Sequence, residues 1–174
     1  MKRIILSIIV IAGALQTSLG QELIGTLQPI TEQDCVNLVL DFSGAKIMGM
    51  TEAQFRLFEE DWIKDQPDIY TEFRDEINQI LKGKMVVGNI ESAELMLRFD
   101  VIDVAKSGAM RGNLYLIKNG QNNEQDVIGR IDGLDSNMRG SFYSGTKLRI
   151  IKLGAGKMGR RIGNILLKEY KRKK

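Results

Sequence analysis

The chain has 174 residues, 43% of them hydrophobic, with two prolines, a composition that excludes a disordered or low-complexity polymer. It contains no histidine, which removes Ser-His-Asp and Cys-His catalysis, histidine proton shuttles and most zinc sites. One cysteine, Cys35, excludes an internal disulfide, and 25 basic against 22 acidic residues give a net charge of +3.

Residues 1–20 open with Lys2 and Arg3, continue apolar from Ile4 to Leu15 and close with the polar, small-residue run Q-T-S-L-G. That is the order of a secretory signal peptide, with Ser18 and Gly20 at the small positions before a cut ahead of Gln21. The apolar run is shorter than the ~20 residues a membrane span needs. No cysteine stands at the cut to carry a lipid, and Cys35 lies too far along to serve. The expectation is cleaved export to the periplasm or the exterior, leaving one domain over residues 21–174 that ends in a basic tail.

After a lead containing Pro29, V-N-L-V-L-D-F-S over Val36–Ser43 alternates and predicts a strand with Val36, Leu38, Leu40 and Phe42 on one face. Gly44–Thr51 then narrowly misses the phosphate-loop pattern G-x-x-x-x-G-K-[ST] between a strand and a helix, because Met50 replaces the lysine that contacts the phosphates. Thr51 as a helix N-cap, with Gln54 completing a capping box, explains the same letters. The helix from Thr51 places Phe55, Phe58 and Trp62 in an aromatic stripe, and Pro67 is expected to end it. Asp68 then caps a second helix that buries Tyr70, Phe73, Ile77, Ile80 and Leu81 and stops at Gly83. Glu59, Glu60 and Asp61 are consecutive, so on a helix they diverge and do not make a metal cage.

From Lys84 the period changes to strands. Lys84–Gly88 is short. Ala93–Ala105 is long, with Leu95, Leu97, Phe99 and Val101 inward and Glu94, Arg98 and Asp100 outward. The alternation slips at Ile102–Val104, which predicts a bulge or a sheet exit. Two more strands, Asn113–Lys118 and Asp126–Leu134, flank the turn sequence N-G-Q-N-N. Asp100 and Asp103 are the carboxylates a hydrolase reading would use. Asp132, Asp135 and Asn137 imitate a calcium loop but lack its glycine and distal glutamate spacing.

Leu148–Tyr170 admits two readings. Gly154, Gly156 and Gly159 match G-x-G-x-x-G behind the strand-like L-R-I-I-K-L, as in a dinucleotide-binding turn, but too few residues follow for the second strand such a fold needs. Alternatively, Leu148, Ile151, Ala155, Met158, Ile162, Ile165, Leu166 and Tyr170 form one stripe of a helix over about 144–171. Its glycines, including Gly163, would then allow close approach to a neighbour, offsetting a propensity cost of roughly 1 kcal/mol each. Seven basic residues between Arg160 and Lys174 make its end positive, suited to the helix dipole, to anionic surfaces or to the acidic Glu52–Glu76 helices of this or another copy. No aromatic platform for nucleic acid stands beside it.

The export segment, the strand V-L-D-F-S with its glycine loop and helix, and the glycine-spaced terminal helix resemble small secreted proteins of Bacteroidetes-type bacteria. The order of elements is also loosely similar to the periplasmic α+β domains of curli-export-type lipoproteins, without their lipid-bearing cysteine. That resemblance implies an envelope setting and transfers no site residues.

The fold expected is α+β: a mainly antiparallel sheet of four to five strands, two short helices, and a long glycine-containing C-terminal helix packed on it. The function expected is that of a non-enzymatic exported module that binds a protein partner or assembles with itself, with no cofactor, metal or catalytic set. The alternative is a nucleotide- or phosphate-binding protein using the loop 44–51 or the glycines Gly154, Gly156 and Gly159.

Overall fold

The computed structural model describes residues 22–120, 126–138 and 145–172. The signal segment read in residues 1–20 lies outside the described residues, as do Gln121, Asn122 and Asn123 of the hairpin sequence.

In chain order the elements are β1 (Leu23–Gly25), a 3-10 turn (Gln28–Glu32), β2 (Cys35–Asp41), β3 (Lys46–Ile47), β4 (Met50–Thr51) and the helices α1 (Glu52–Phe58) and α2 (Trp62–Leu81). Then come β5 (Val86–Gly88), β6 (Leu95–Val104), β7 (Met110–Lys118), β8 (Val127–Asp135) and the helix α3 (Lys147–Arg172). The strands form one eight-stranded sheet in the order β1-β8-β7-β6-β2-β5, with β3 alongside β6 and paired to β4.

This corrects the expected mainly antiparallel sheet of four to five strands: the sheet has eight strands and is mixed. β2 is parallel to both β5 and β6, and β3 is parallel to β6. The reason is the connection. The chain leaves β2, crosses over through α1 and α2, and returns in the same direction, which an antiparallel hairpin cannot do. Alternation marks a strand and its buried face but says nothing of its neighbour's direction. β1, β3 and β4 have two or three residues, too few to show alternation.

Among the described residues the α-helices number three, and their division differs from the expected one. Pro67 lies inside α2, and the chain breaks earlier, between Phe58 and Trp62. Pro67 is exposed, so the carbonyl its ring deprives of a partner is on the watery side of the helix. The break also splits the aromatic stripe. Phe55 and Trp62 are buried and meet edge-on at 5.2 Å, while Phe58 is 71% exposed. The indole of Trp62 also meets the Phe42 ring edge-on at 5.2 Å and donates from Nε1 to Glu52 Oε1 at 2.8 Å.

α2 and α3 cover one face of the sheet. Ile69, Phe73, Ile77 and Leu81 of α2 join Ile151, Ala155, Met158, Ile162 and Leu166 of α3 in a single core with Val36, Leu38, Leu97, Phe99, Leu114, Leu116 and Ile131 of the strands. Phe73 and Phe99, 5.7 Å apart at their centroids, tie helix to sheet. The inward set of β6 is as expected, and the register shifts between Val101 and Asp103, where the alternation slips.

Candidate functional site

The Leu148–Tyr170 stretch is helical throughout, so its glycines are mid-helix residues. A Cβ at Gly154 would strike the Gly108 carbonyl oxygen, and one at Gly159 would strike the Phe73 carbonyl oxygen. At Gly163 a Cβ would stand 2.8 Å from Ile80 Cβ, and at Gly156 it would meet the mobile Glu72 carboxylate at 3.0 Å. The missing side chains let α3 lie backbone against backbone on α2 and on the turn at Gly108.

Because Gly156 faces Glu72, Gly159 faces Phe73 and Gly163 faces Ile80, the two helices run parallel. Ion pairs follow the same register: Lys147 with Glu59, Lys152 Nζ with Asp68 Oδ2 at 3.3 Å, and Arg160 with Glu76 through two contacts of 2.6 and 2.7 Å. The basic helix therefore meets the acidic helix of its own chain. Further along, Arg172 Nη1 pairs with Glu169 at 2.7 Å.

The loop at Gly44–Thr51 is a small hairpin. Met48 and Gly49 turn with φ of 53° and 90° between β3 and β4. Thr51 and Gln54 form the reciprocal capping box, with both bonds near 3 Å: Gln54 N donates to Thr51 Oγ1 at 3.2 Å and Thr51 N to Gln54 Oε1 at 3.0 Å. Of the acidic trio, Glu59 pairs with Lys147 and Asp61 with Lys64. Asp132 pairs with Arg130, while Asp135 Oδ1 accepts from Asn137 N. Among the described residues no group of three or more Cys, Asp or Glu is placed to hold a metal.

What the sequence did not single out is the sheet face turned away from α2 and α3. Cross-strand register draws its side chains into rows. One row reads Val39–Arg98–Tyr115–Arg130–Ile24 across β2, β6, β7, β8 and β1. The next reads Asp41–Asp100–Asn113, with Asp132 beside it two residues beyond Arg130. After the β6 bulge a third aligns Lys46, Asp103, Arg111 and Asp135, so the bulge separates Asp103 from Asp100.

The first two rows interact. The Arg98 guanidinium stands 5.0 Å from the Tyr115 ring centroid, a cation–π distance, and its Nε is 2.9 Å from Asp100 Oδ1. Arg130 Nη2 meets Asp132 Oδ2 at 2.7 Å. Asn113 donates to the Tyr115 hydroxyl at 3.3 Å and accepts from Gly133 N at 2.9 Å, which holds the β8 bulge against the row. Both ion pairs join residues i and i+2 of one strand, and the reach is awkward. Arg98 Nε, Asp100 Oδ1, Arg130 Nε and Asp132 Oδ1 make no aligned hydrogen bond.

These groups are half-buried: 26% and 32% of the Arg98 and Asp100 side chains are exposed, against 39% and 42% for Arg130 and Asp132. Burial lifts the Asp100 carboxyl above its ordinary value; Arg98 opposes the rise and Asp41, opposite on β2, adds to it. The clue in the sequence was the set L-R-F-D, N-L-Y and R-I-D, each placing polar side chains two apart on an outward face. Only the register shows that they align.

Beyond this face, a cleft of about 310 Å³ between α2 and α3 is lined by Glu72, Leu148, Arg149 and Lys152, and another of about 570 Å³ by Asn37, Glu94, Lys118 and Asn119. Leu57, Phe58 and Ile63 are exposed at the α1–α2 corner. No described helix is long and apolar enough to cross a membrane.

No family model matches the chain, and no curated protein matches it. Among solved structures it is similar to one described as "Crystal structure of uncharacterized protein", at 14% identity and a TM-score of 0.40, covering 76% of this chain and 91% of that chain. A likeness of that size assigns no function.

Proposed function

We propose that the protein is an exported, non-enzymatic module that docks a protein partner on the outer sheet face. The carrying observation is the pair of aligned rows there: Arg98, Tyr115 and Arg130 beside Asp41, Asp100 and Asp132. Arg and Tyr are the residues that concentrate binding energy in protein interfaces, and both kinds stand here on rigid central strands. The other face of the sheet is already occupied by α2 and α3 of the same chain, themselves joined by ion pairs from Lys147–Glu59 to Arg160–Glu76, which leaves the outer face for an external partner. The basic start and short apolar run of residues 1–20 support export.

Photo-crosslinking in cells tests this reading. A photoreactive phenylalanine analogue at position 115 is expected to give discrete protein adducts, and the same group at the exposed Asn164 of α3 is not. Adducts from 164 and none from 115 would refute the proposal.

A further inference from the structure

We infer that a second copy of this chain docks on the outer face, as an isologous face-to-face pair; this rests on the reading of that face as a docking surface. The two charged rows are self-complementary. A two-fold axis lying between them and parallel to them turns one copy over onto the other while leaving each strand opposite its counterpart. Arg98 of one copy then faces Asp100 of the other, Arg130 faces Asp132, and both contacts recur by symmetry. Residues i and i+2 of a strand are about 6.8 Å apart, so the rows are separate enough for the exchange to be distinct from the in-chain pairs.

Charge also selects the register. Sliding one sheet along its strands by two residues sets Arg on Arg in one direction and Asp on Asp in the other, a repulsive arrangement either way. The in-chain pairs leave part of each side chain open to a partner: 26% of Arg98 and 32% of Asp100 are exposed, and 39% of Arg130 and 42% of Asp132. The neighbouring row Asn37–Met96–Ile117 is buried, so the open face is about four residues long across five strands about 4.8 Å apart, roughly 300 Å² per copy and below the size of a standard interface. The pair is therefore weak and concentration-dependent.

The test is trans-complementation by sedimentation velocity on the purified full chain. One variant carries Arg98→Glu with Arg130→Glu, the other Asp100→Arg with Asp132→Arg. Each alone sets like charges face to face in its own homodimer, and its dissociation constant is expected to rise about tenfold or more, as one lost contact of ~1.4 kcal/mol would give. Mixed in equal amounts, they present an acidic side chain to an arginine at every contact, Glu to Arg at two and Asp to Arg at two, and dimers are expected to return. If either variant loses the wild-type Trp62 fluorescence, the single changes Arg130→Glu and Asp132→Arg, at the more exposed pair, repeat the test. Wild-type protein that stays monomeric, or a mixture as monomeric as its components, would overturn the second-copy inference. In that event, adducts of position 115 with a different protein would leave the docking-surface reading standing; no adducts at all would remove both.

Discussion

Gly159 lies against the main chain of Phe73, with no room for a side chain between its Cα and the Phe73 carbonyl oxygen. This contact fixes how closely α3 approaches α2 and, with Gly156 against Glu72 and Gly163 against Ile80, fixes their parallel direction. Gly159→Ala gains helix propensity of about 1 kcal/mol but must push two backbones apart, for a net loss of about 1–3 kcal/mol. Gly156→Ala gains the same propensity against a carboxylate that can swing away, and should stay within about 1 kcal/mol of wild type. Urea denaturation of the two variants checks the contrast.

Trp62, the one tryptophan, reports on a different contact. It is 1% exposed, and its indole N–H donates to Glu52. Its emission is expected to lie in the blue range of a buried indole and to move red on unfolding. Glu52→Ala leaves that donor without its partner at a cost of about 1–3 kcal/mol, which the same fluorescence transition measures.

Asp100 gives the pH dependence of the outer face. Its folded-state carboxyl is raised, by burial first and by Asp41, against the opposing effect of Arg98. A raised acid binds protons more readily in the folded than in the unfolded state. Its favourable contribution is therefore complete below about pH 4 and is lost as pH rises through the folded value. Asp100→Asn removes this loss, so in dilute protein its urea midpoint should exceed wild type at pH 7 and converge with it in acid. A deficit at neutral pH would show that the Arg98 contact outweighs burial.

Two phenols contribute to the pH dependence in alkali. Burial raises the Tyr70 hydroxyl, with Arg74 opposing, and burial together with Asp34 raises Tyr170. Each favours folding below about pH 10, and that contribution disappears as pH rises through the folded values. Tyrosinate absorbance should show two groups titrating later than free tyrosine, and Tyr70→Phe should reduce the alkaline fall in stability.

Much of this architecture was legible. The eight-position stripe of α3 is in the core or packed against it, from Leu148 to Tyr170, because a long 3.6-residue period leaves little choice of conformation. Thr51 and Gln54 announced their capping box, and Ile102–Val104 their bulge, since both are local. The partners of β2 were not legible, because parallel pairing follows from a crossover of two helices and not from any residue in the strand. Pro67 misled because a proline on an exposed helix face frees a carbonyl that water can satisfy. The rows around Arg98 and Tyr115 were invisible for the same reason as β2: polar residues two apart are ordinary on any strand, and only register aligns them.

The central claim, that the outer sheet face is where this protein makes contact with another copy, is tested most directly by following amide chemical shifts through a dilution series. Shifts that move together at Arg98, Asp100, Tyr115 and Arg130, with α3 unmoved, are the expected result. Constant shifts at those residues, or movement confined to the exposed corner at Leu57, Phe58 and Ile63, would contradict it.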